Sequence, residues 1–200
     1  MPLNATTVTA TAATVPRFGR LRLQALGWLT LGRTARAEAV FGRILADHPD
    51  DAHALSSRSH LRAQAGRNEE ALADAQALVA AHPRRSAADW FNLAFLLEAC
   101  ERLNDAEAAF RQALVLDTRL DRAWYGLGLV LIRQGRLDAA VEALQRNTEL
   151  QPMSPYGWYQ LARVQWDRRQ ADETRRIIRH LRGFEPKVAA QLERETGLTV

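Results

Sequence analysis

Trp90-Phe91-Asn92-Leu93-Ala94, Trp124-Tyr125-Gly126-Leu127-Gly128 and Trp158-Tyr159-Gln160-Leu161-Ala162 are three versions of one pattern, spaced by 34 residues. A period of this length marks a repeated supersecondary unit, each copy of which buries its apolar face against its neighbours. Proline supplies an independent register. Pro49, Pro83, Pro152 and Pro186 fall at 34-residue steps once Thr118 is accepted at the vacant step and one inserted residue is placed between Pro83 and Trp90.

Outward from the cassette, apolar residues recur at helical spacing in two runs per period, separated by a short polar turn. The first unit places one helix from about Arg17 to Leu31, a turn at Gly32, and a second helix carrying Ala37, Phe41 and Ile44 before Pro49. The later units follow with Gly66, Ala71, Ala75 and Leu78, then Ala106, Phe110 and Ala113, then Gly135, Ala140, Leu144 and Asn147. Thr174, Ile178 and Leu181 close the series before Pro186. Residues four or seven apart share a helix face, so each set forms a packed stripe. Small residues in the first helices, Ala25, Ser59, Ala94, Gly128 and Ala162, let neighbouring helices approach.

Caps are expected at the same boundaries. Asp50 or Asp51, Ser86, Asp121 and Ser154 followed by Pro155 stand where first helices begin. Asn68, Asn104 and Asp138 stand in the corresponding place for second helices. Val188 to Glu195 reads as one more helix, ending at Gly197, with a polar outer side that closes the stack.

Composition agrees with an all-helical chain, since apolar residues make up 47% and Ala and Leu dominate. The net charge of +4 comes almost wholly from arginine, Lys187 being the only lysine. Base composition of a GC-rich genome accounts for that bias without a nucleic-acid surface, and with the chain's compactness it suggests a bacterial source. One cysteine, Cys100, excludes an internal disulfide. No apolar run approaches the roughly 20 residues that cross a bilayer. Residues 1–16 are rich in Thr and Ala, with no basic start and no leucine-rich centre, so they read as a disordered or frayed leader rather than a secretory signal. The cytoplasm is the expected compartment.

The repeating unit resembles the tetratricopeptide repeat, whose pattern is Trp, Leu-Gly, a bulky residue, a turn glycine, Ala, an aromatic, Ala and Pro. That pattern is matched best by Trp124, Leu127-Gly128, Leu131, Gly135, Ala140, Leu144 and Pro152. Five such repeats fit residues 17–187, at about 18–51, 52–86, 87–120, 121–154 and 155–187, followed by a capping helix and tail at 188–200. The resemblance implies an all-α fold, a right-handed α-solenoid whose first helices line a concave groove that binds peptides or helices of other proteins. Three departures stand out. Arg58 and Arg62 occupy usually apolar positions, implying a register shift or a loosened helix. Glu101 and Arg169 stand where Gly32, Gly66 and Gly135 favour a left-handed turn, implying altered turns. The insertion near residues 84–88 should lengthen one connection.

Counting from each Trp, the positions two before, one after, five after and eight after lie opposite the packed stripe. They give a candidate peptide-binding groove of Phe91, Phe95, Arg122, Tyr125, Leu129, Ile132, Tyr156, Tyr159, Arg163 and Trp166. Aromatic and arginine residues are favoured anchors at interfaces. The competing reading is that several pack between repeats or under the leader. The family's carboxylate clamp of Lys, Asn and Arg has no counterpart here, which disfavours a heat-shock co-chaperone. A second candidate surface is Arg175, Arg179 and Arg182, aligned on one helix side, which could meet nucleic acid or another polyanion; the plainer reading is an outward solvated face.

No phosphate loop, nucleophile elbow or Cys/His cluster is present, so no catalytic residue, metal or cofactor is expected. His53 and His60 lie about 10 Å apart along a helix, too far to share one metal alone. The expected function is therefore a non-enzymatic scaffold or adaptor that binds a protein partner in its groove. The alternative is an accessory subunit holding a polyanion through arginine.

Overall fold

A computed structural model describes residues 14–200 of the chain, with side chains from Phe18 onward. The described residues form eleven helices. They are α1 (Thr14–Thr30), α2 (Thr34–Asp47), α3 (Ala52–Gln64), α4 (Asn68–Ala81), α5 (Ala87–Ala99) and α6 (Leu103–Leu116), followed by α7 (Asp121–Arg133), α8 (Leu137–Leu150), α9 (Pro155–Asp167), α10 (Ala171–Arg182) and α11 (Pro186–Thr196). No strand occurs among them. Helix α1 begins at Thr14, three residues before the expected start, so the leader reading for residues 1–13 lies outside the described residues.

Two compact units divide at Pro83 and Arg84. In the first, α1 packs on α2, α2 on α3, and α3 on α4. In the second, each helix from α5 to α11 packs on the next, and α11 also touches α9. Each unit is thus a stack of helix pairs, the fold class implied by the repeat.

The stripes form the cores. Ala37, Phe41 and Ile44 are buried in the first unit, and Ala106, Phe110, Ala113, Ala140 and Leu144 in the second. The small positions work as close contacts. A Cβ on Gly128 would lie 2.8 Å from Leu144 Cδ2, and the Ser59 hydroxyl donates to the Ala71 carbonyl at 2.9 Å. The cassette tryptophans tie the two sequence registers together. Trp124 Nε1 donates to the Thr118 carbonyl at 2.9 Å, and Trp158 Nε1 donates to the Pro152 carbonyl at 2.8 Å. Each indole therefore clamps the proline-position corner that precedes its own helix.

First-helix caps fall partly where expected. Asp51 accepts from Ala54 N–H at 2.8 Å and Ser86 from Asp89 N–H at 3.2 Å. Asp121 is instead the first helical residue, and Ser154 makes no capping bond. The second helices differ from expectation. Their cap positions are Arg33, Arg67, Arg102, Arg136 and Gln170, none of which makes a side-chain cap bond, and Asn68 lies inside the helix. Asn104 and Asp138 lie inside theirs as well. At two of these positions the cap side chain is spent on the preceding pair: Arg67 binds Glu38, and Arg136 binds Glu107 at 2.6 Å, whereas Arg102 pairs with Asp105 of its own helix. Glu38 and Glu107 hold the same repeat position, so this ion pair recurs in alternate repeats.

The departures resolve differently from the sequence expectation. Helix α3 keeps its register because Arg58 and Arg62 do not face bare apolar surface. Arg58 forks onto Asp74 with bonds of 2.9 and 2.6 Å, while Arg62 bonds Asp74 and Glu38, each at 3.0 Å. Asp74 itself is buried. Nor are the turns at Glu101 and Arg169 altered: both adopt positive φ, at 59° and 61°, like Gly66 at 74°. The same bonds close them, Arg102 N–H to Leu97 at 2.8 Å matching Arg67 N–H to Arg62 at 2.9 Å. Closure of the helix end by these bonds outweighs the side-chain penalty of the left-handed region. The connection at 82–86 is one residue longer than the one at 117–120, as the insertion implied.

The expected closing helix is present as α11, which ends on Gly197 in a left-handed conformation. Ala189 and Leu192 are its buried face.

Candidate functional site

Within the second unit, α5, α7 and the start of α9 enclose an apolar cavity of about 510 Å³. Six candidate residues line it: Phe91, Phe95, Arg122, Tyr125, Leu129 and Tyr156. The walls arise from the repeat itself. Phe91 and Phe95 stand one turn apart on α5, and Tyr125 and Leu129 occupy the same two positions on α7, so equivalent faces of two first helices confront one opening.

Phe95 is 57% exposed and Tyr156 72%, a level at which large apolar surface marks an interaction site. Phe91 and Tyr125 are half-buried. The Arg122 guanidinium lies 4.9 Å from the centre of the Phe91 ring, placing a cation at the cavity edge. Glu98 also lines the cavity, with Arg133 Nη1 3.4 Å away. Burial raises the Tyr125 phenol above its ordinary range, a shift opposed by its bond to Gln160.

The remaining candidates lie elsewhere. Ile132 is half-buried near the end of α7, outside the cavity. The Tyr159 hydroxyl donates to the Glu195 carboxylate, with oxygens at 3.0 and 2.9 Å, and accepts from Gln191 Nε2 at 3.3 Å. Arg163 stands 5.9 Å from the Tyr159 ring centre. Glu195 is held below the usual carboxylate range, first by Gln191, then by Tyr159 and Arg163, against the opposing effect of burial. Trp166 lines a separate shallow recess of about 410 Å³ with Arg169.

A rule emerges for the position after each tryptophan. Phe91 meets Arg122 on α7, Tyr125 meets Gln160 on α9, and Tyr159 meets Glu195 on α11. These aromatics therefore bridge successive first helices, so the packing alternative holds in part. The cavity also contains residues that the sequence reading had left out of the groove: Phe110, Gly126, Asn147, Gln151 and Ser154 among them. Phe110 reaches the cavity because Gly126 stands opposite; a Cβ there would lie 2.4 Å from Phe110 Cζ. The small residue in the second cassette was the available signal.

On the arginine surface, Arg175 pairs with Asp172 at 2.9 Å and Arg182 pairs with Glu193. Arg179 is exposed and makes no ion pair among the described residues. His53 Nδ1 lies 2.9 Å from the Ser57 hydroxyl, while His60 is exposed. Among the described residues no three His, Cys, Asp or Glu side chains come together in a metal-binding arrangement. No helix among them is long and apolar enough to cross a membrane.

A family model described as tetratricopeptide repeat matches residues 23–86 and 96–155, more than half of the chain. A search of curated proteins returned no match. Among solved structures, MamA shares 18% identity, covers 92% of this chain and 97% of its own, and superposes with a TM-score of 0.80. YrrB, described as a TPR protein with an unusual peptide-binding site, shares 17% identity with coverage of 85% and 88% and a TM-score of 0.76. PilF of Pseudomonas aeruginosa shares 20% identity with coverage of 91% and 93% and a TM-score of 0.66. At these identities the likeness speaks for the fold alone.

Proposed function

The chain belongs to the tetratricopeptide repeat family, and on that premise we propose that it is a non-enzymatic adaptor that takes a partner peptide or helix into the α5–α7–α9 cavity. Proteins of this fold generally mediate protein–protein interaction, and YrrB is described as having a peptide-binding site. The single observation that carries the reading is the exposure of Phe95 and Tyr156 at the mouth of an aromatic-lined cavity of about 510 Å³. That volume lies within the ordinary range for ligand sites, and large aromatics at the mouth of a concave surface are the usual anchors of an interface.

Arg122 orients the partner, since its guanidinium is held over Phe91 and, among the described residues, no carboxylate pairs with it. The arginine bias and the absence of catalytic motifs fit a bacterial, cytoplasmic adaptor. The polyanion alternative loses support from the ion pairs of Arg175 and Arg182.

The test is affinity capture from the source organism with wild type and with Phe95→Ala/Tyr125→Ala. Specifically captured proteins should bind the double variant at least about tenfold more weakly, the scale of losing one interface anchor. Both proteins must give the same helical circular dichroism. Retention of every captured partner by the double variant would overturn the proposal.

A further inference from the structure

Asn147 is the polar exception at its position in the second-helix stripes. Its repeat equivalents are Ile44, Leu78, Ala113 and Leu181, all buried and apolar, yet Asn147 is itself only 5% exposed. Its Nδ2 donates to the Asp121 carbonyl at 3.0 Å. Among the described residues no hydrogen bond reaches its Oδ1, and that oxygen is not sealed from solvent as the buried Arg22 Nε is. The side chain lines the cavity.

Placement of the amide is built in from the other side. Gly157 on α9 makes room for it, because a Cβ there would come within 2.1 Å of Asn147 Oδ1. The bond to Asp121 engages one of the two amide N–H groups and fixes the orientation of the amide, leaving its oxygen available. An available acceptor in an apolar wall carries a desolvation penalty whenever an apolar ligand covers it. A ligand that brings a donor to this spot avoids the penalty.

We infer that Asn147 Oδ1 is the specificity-determining acceptor of the cavity, and that the partner anchor it selects is a tryptophan side chain. The indole is a donor without an acceptor, which matches the unengaged oxygen of the amide. A buried Trp N–H normally finds a partner, and its ring suits walls made of Phe91, Phe95, Tyr125 and Tyr156. This inference rests on the cavity being the binding site proposed above.

Indole and 1-methylindole are the probes, titrated into the full chain while the amide resonances of Asn147 and Gly126 are followed by NMR. Indole should bind about 3- to 10-fold more tightly than its methylated analogue, the worth of one neutral hydrogen bond. In Asn147→Ala the preference should disappear. Alanine is accommodated at this position of the repeat, as the fully buried Ala113 shows. Equal binding of both probes by wild type, or a preference that survives in Asn147→Ala, overturns the role of Asn147 and leaves the cavity standing. If neither probe perturbs the cavity resonances at millimolar concentration, the cavity reading fails and this inference fails with it.

Discussion

Arg58 and Asp74 in the first unit stand where the second unit has Leu93 with Ala109, Leu127 with Ala143, and Leu161 with Ile177. The helices are of the same kind and the partners are equivalent, but one interior contact is a forked ion pair and the others are apolar. Arg62 extends the difference, being bound to both Asp74 and Glu38 where Leu97 and Leu131 are simply buried. The repeat geometry thus accepts either chemistry, provided that both partners change together. A charge placed there alone would be stranded.

That dependence gives the largest expected effect. Asp74→Ala leaves Arg58 and Arg62 without their shared, nearly buried carboxylate and should destabilise the protein by about 3 kcal/mol, measured by urea denaturation. The triple change Arg58→Leu/Arg62→Leu/Asp74→Ala installs the second unit's solution in the first. It should restore the lost stability or exceed the wild type by about 1 kcal/mol, since apolar replacements of buried ion pairs are commonly neutral or stabilising. If the triple variant were as unstable as Asp74→Ala, the two interiors would not be interchangeable.

A smaller effect separates the units by pH. Glu38 is lowered from 4.5 to about 2, chiefly by its bond from Arg67 and then by Arg62, with burial opposing. Its folded value lies below its unfolded one, so its contribution is complete above about pH 4.5 and is lost as pH falls through about 2. Partial exposure discounts the effect to about 1–2 kcal/mol. Glu107, the equivalent residue of the second unit, is shifted the same way because bonds from Arg136, Arg111 and Gln134 together outweigh burial. Glu38→Gln should therefore flatten the stability profile between pH 5 and pH 2, and more than Glu107→Gln does. Equal flattening would mean that the charge network around Asp74 adds nothing to the periodic pair.

The same comparison shows what was legible in the sequence. The period, the helix pairs, the closing helix and the stripes could be read because they depend on local spacing and on residue size. Arg58 and Arg62 were recognised as departures, but Asp74 and Glu38 were not seen as their partners. Those residues lie 16 and 24 positions away on other helices, and no local periodicity connects them. Phe91, Phe95, Tyr125 and Leu129 could be placed on one side because a helix face is a matter of counting, and they line one cavity. Tyr159 obeys the same count, yet its hydroxyl ends on Glu195, because the rule for one helix says nothing of what the next helix brings. Asn147 was read as one more member of a stripe. Its polarity was visible, but its meaning depended on Asp121 and Gly157 from neighbouring helices.

The smallest expected effect concerns the turns. The first unit closes its helix pairs with Gly32 and Gly66, whereas the second uses Glu101, Gly135 and Arg169 at the same positive φ. A side chain in that region costs roughly 1–2 kcal/mol, and glycine returns part of this as greater freedom of the unfolded chain. Arg169→Gly should therefore stabilise the protein by about 0.5–1 kcal/mol, read from the urea midpoint at unchanged slope. Arg169 is exposed and makes no ion pair among the described residues, so little opposes the gain. Glu101→Gly also sacrifices the ion pair with Arg133, which in turn reaches Glu98 at the cavity wall. Its gain should be smaller than that of Arg169→Gly, and an equal gain would show that the Glu101–Arg133 pair, as an exposed one, contributes nothing measurable.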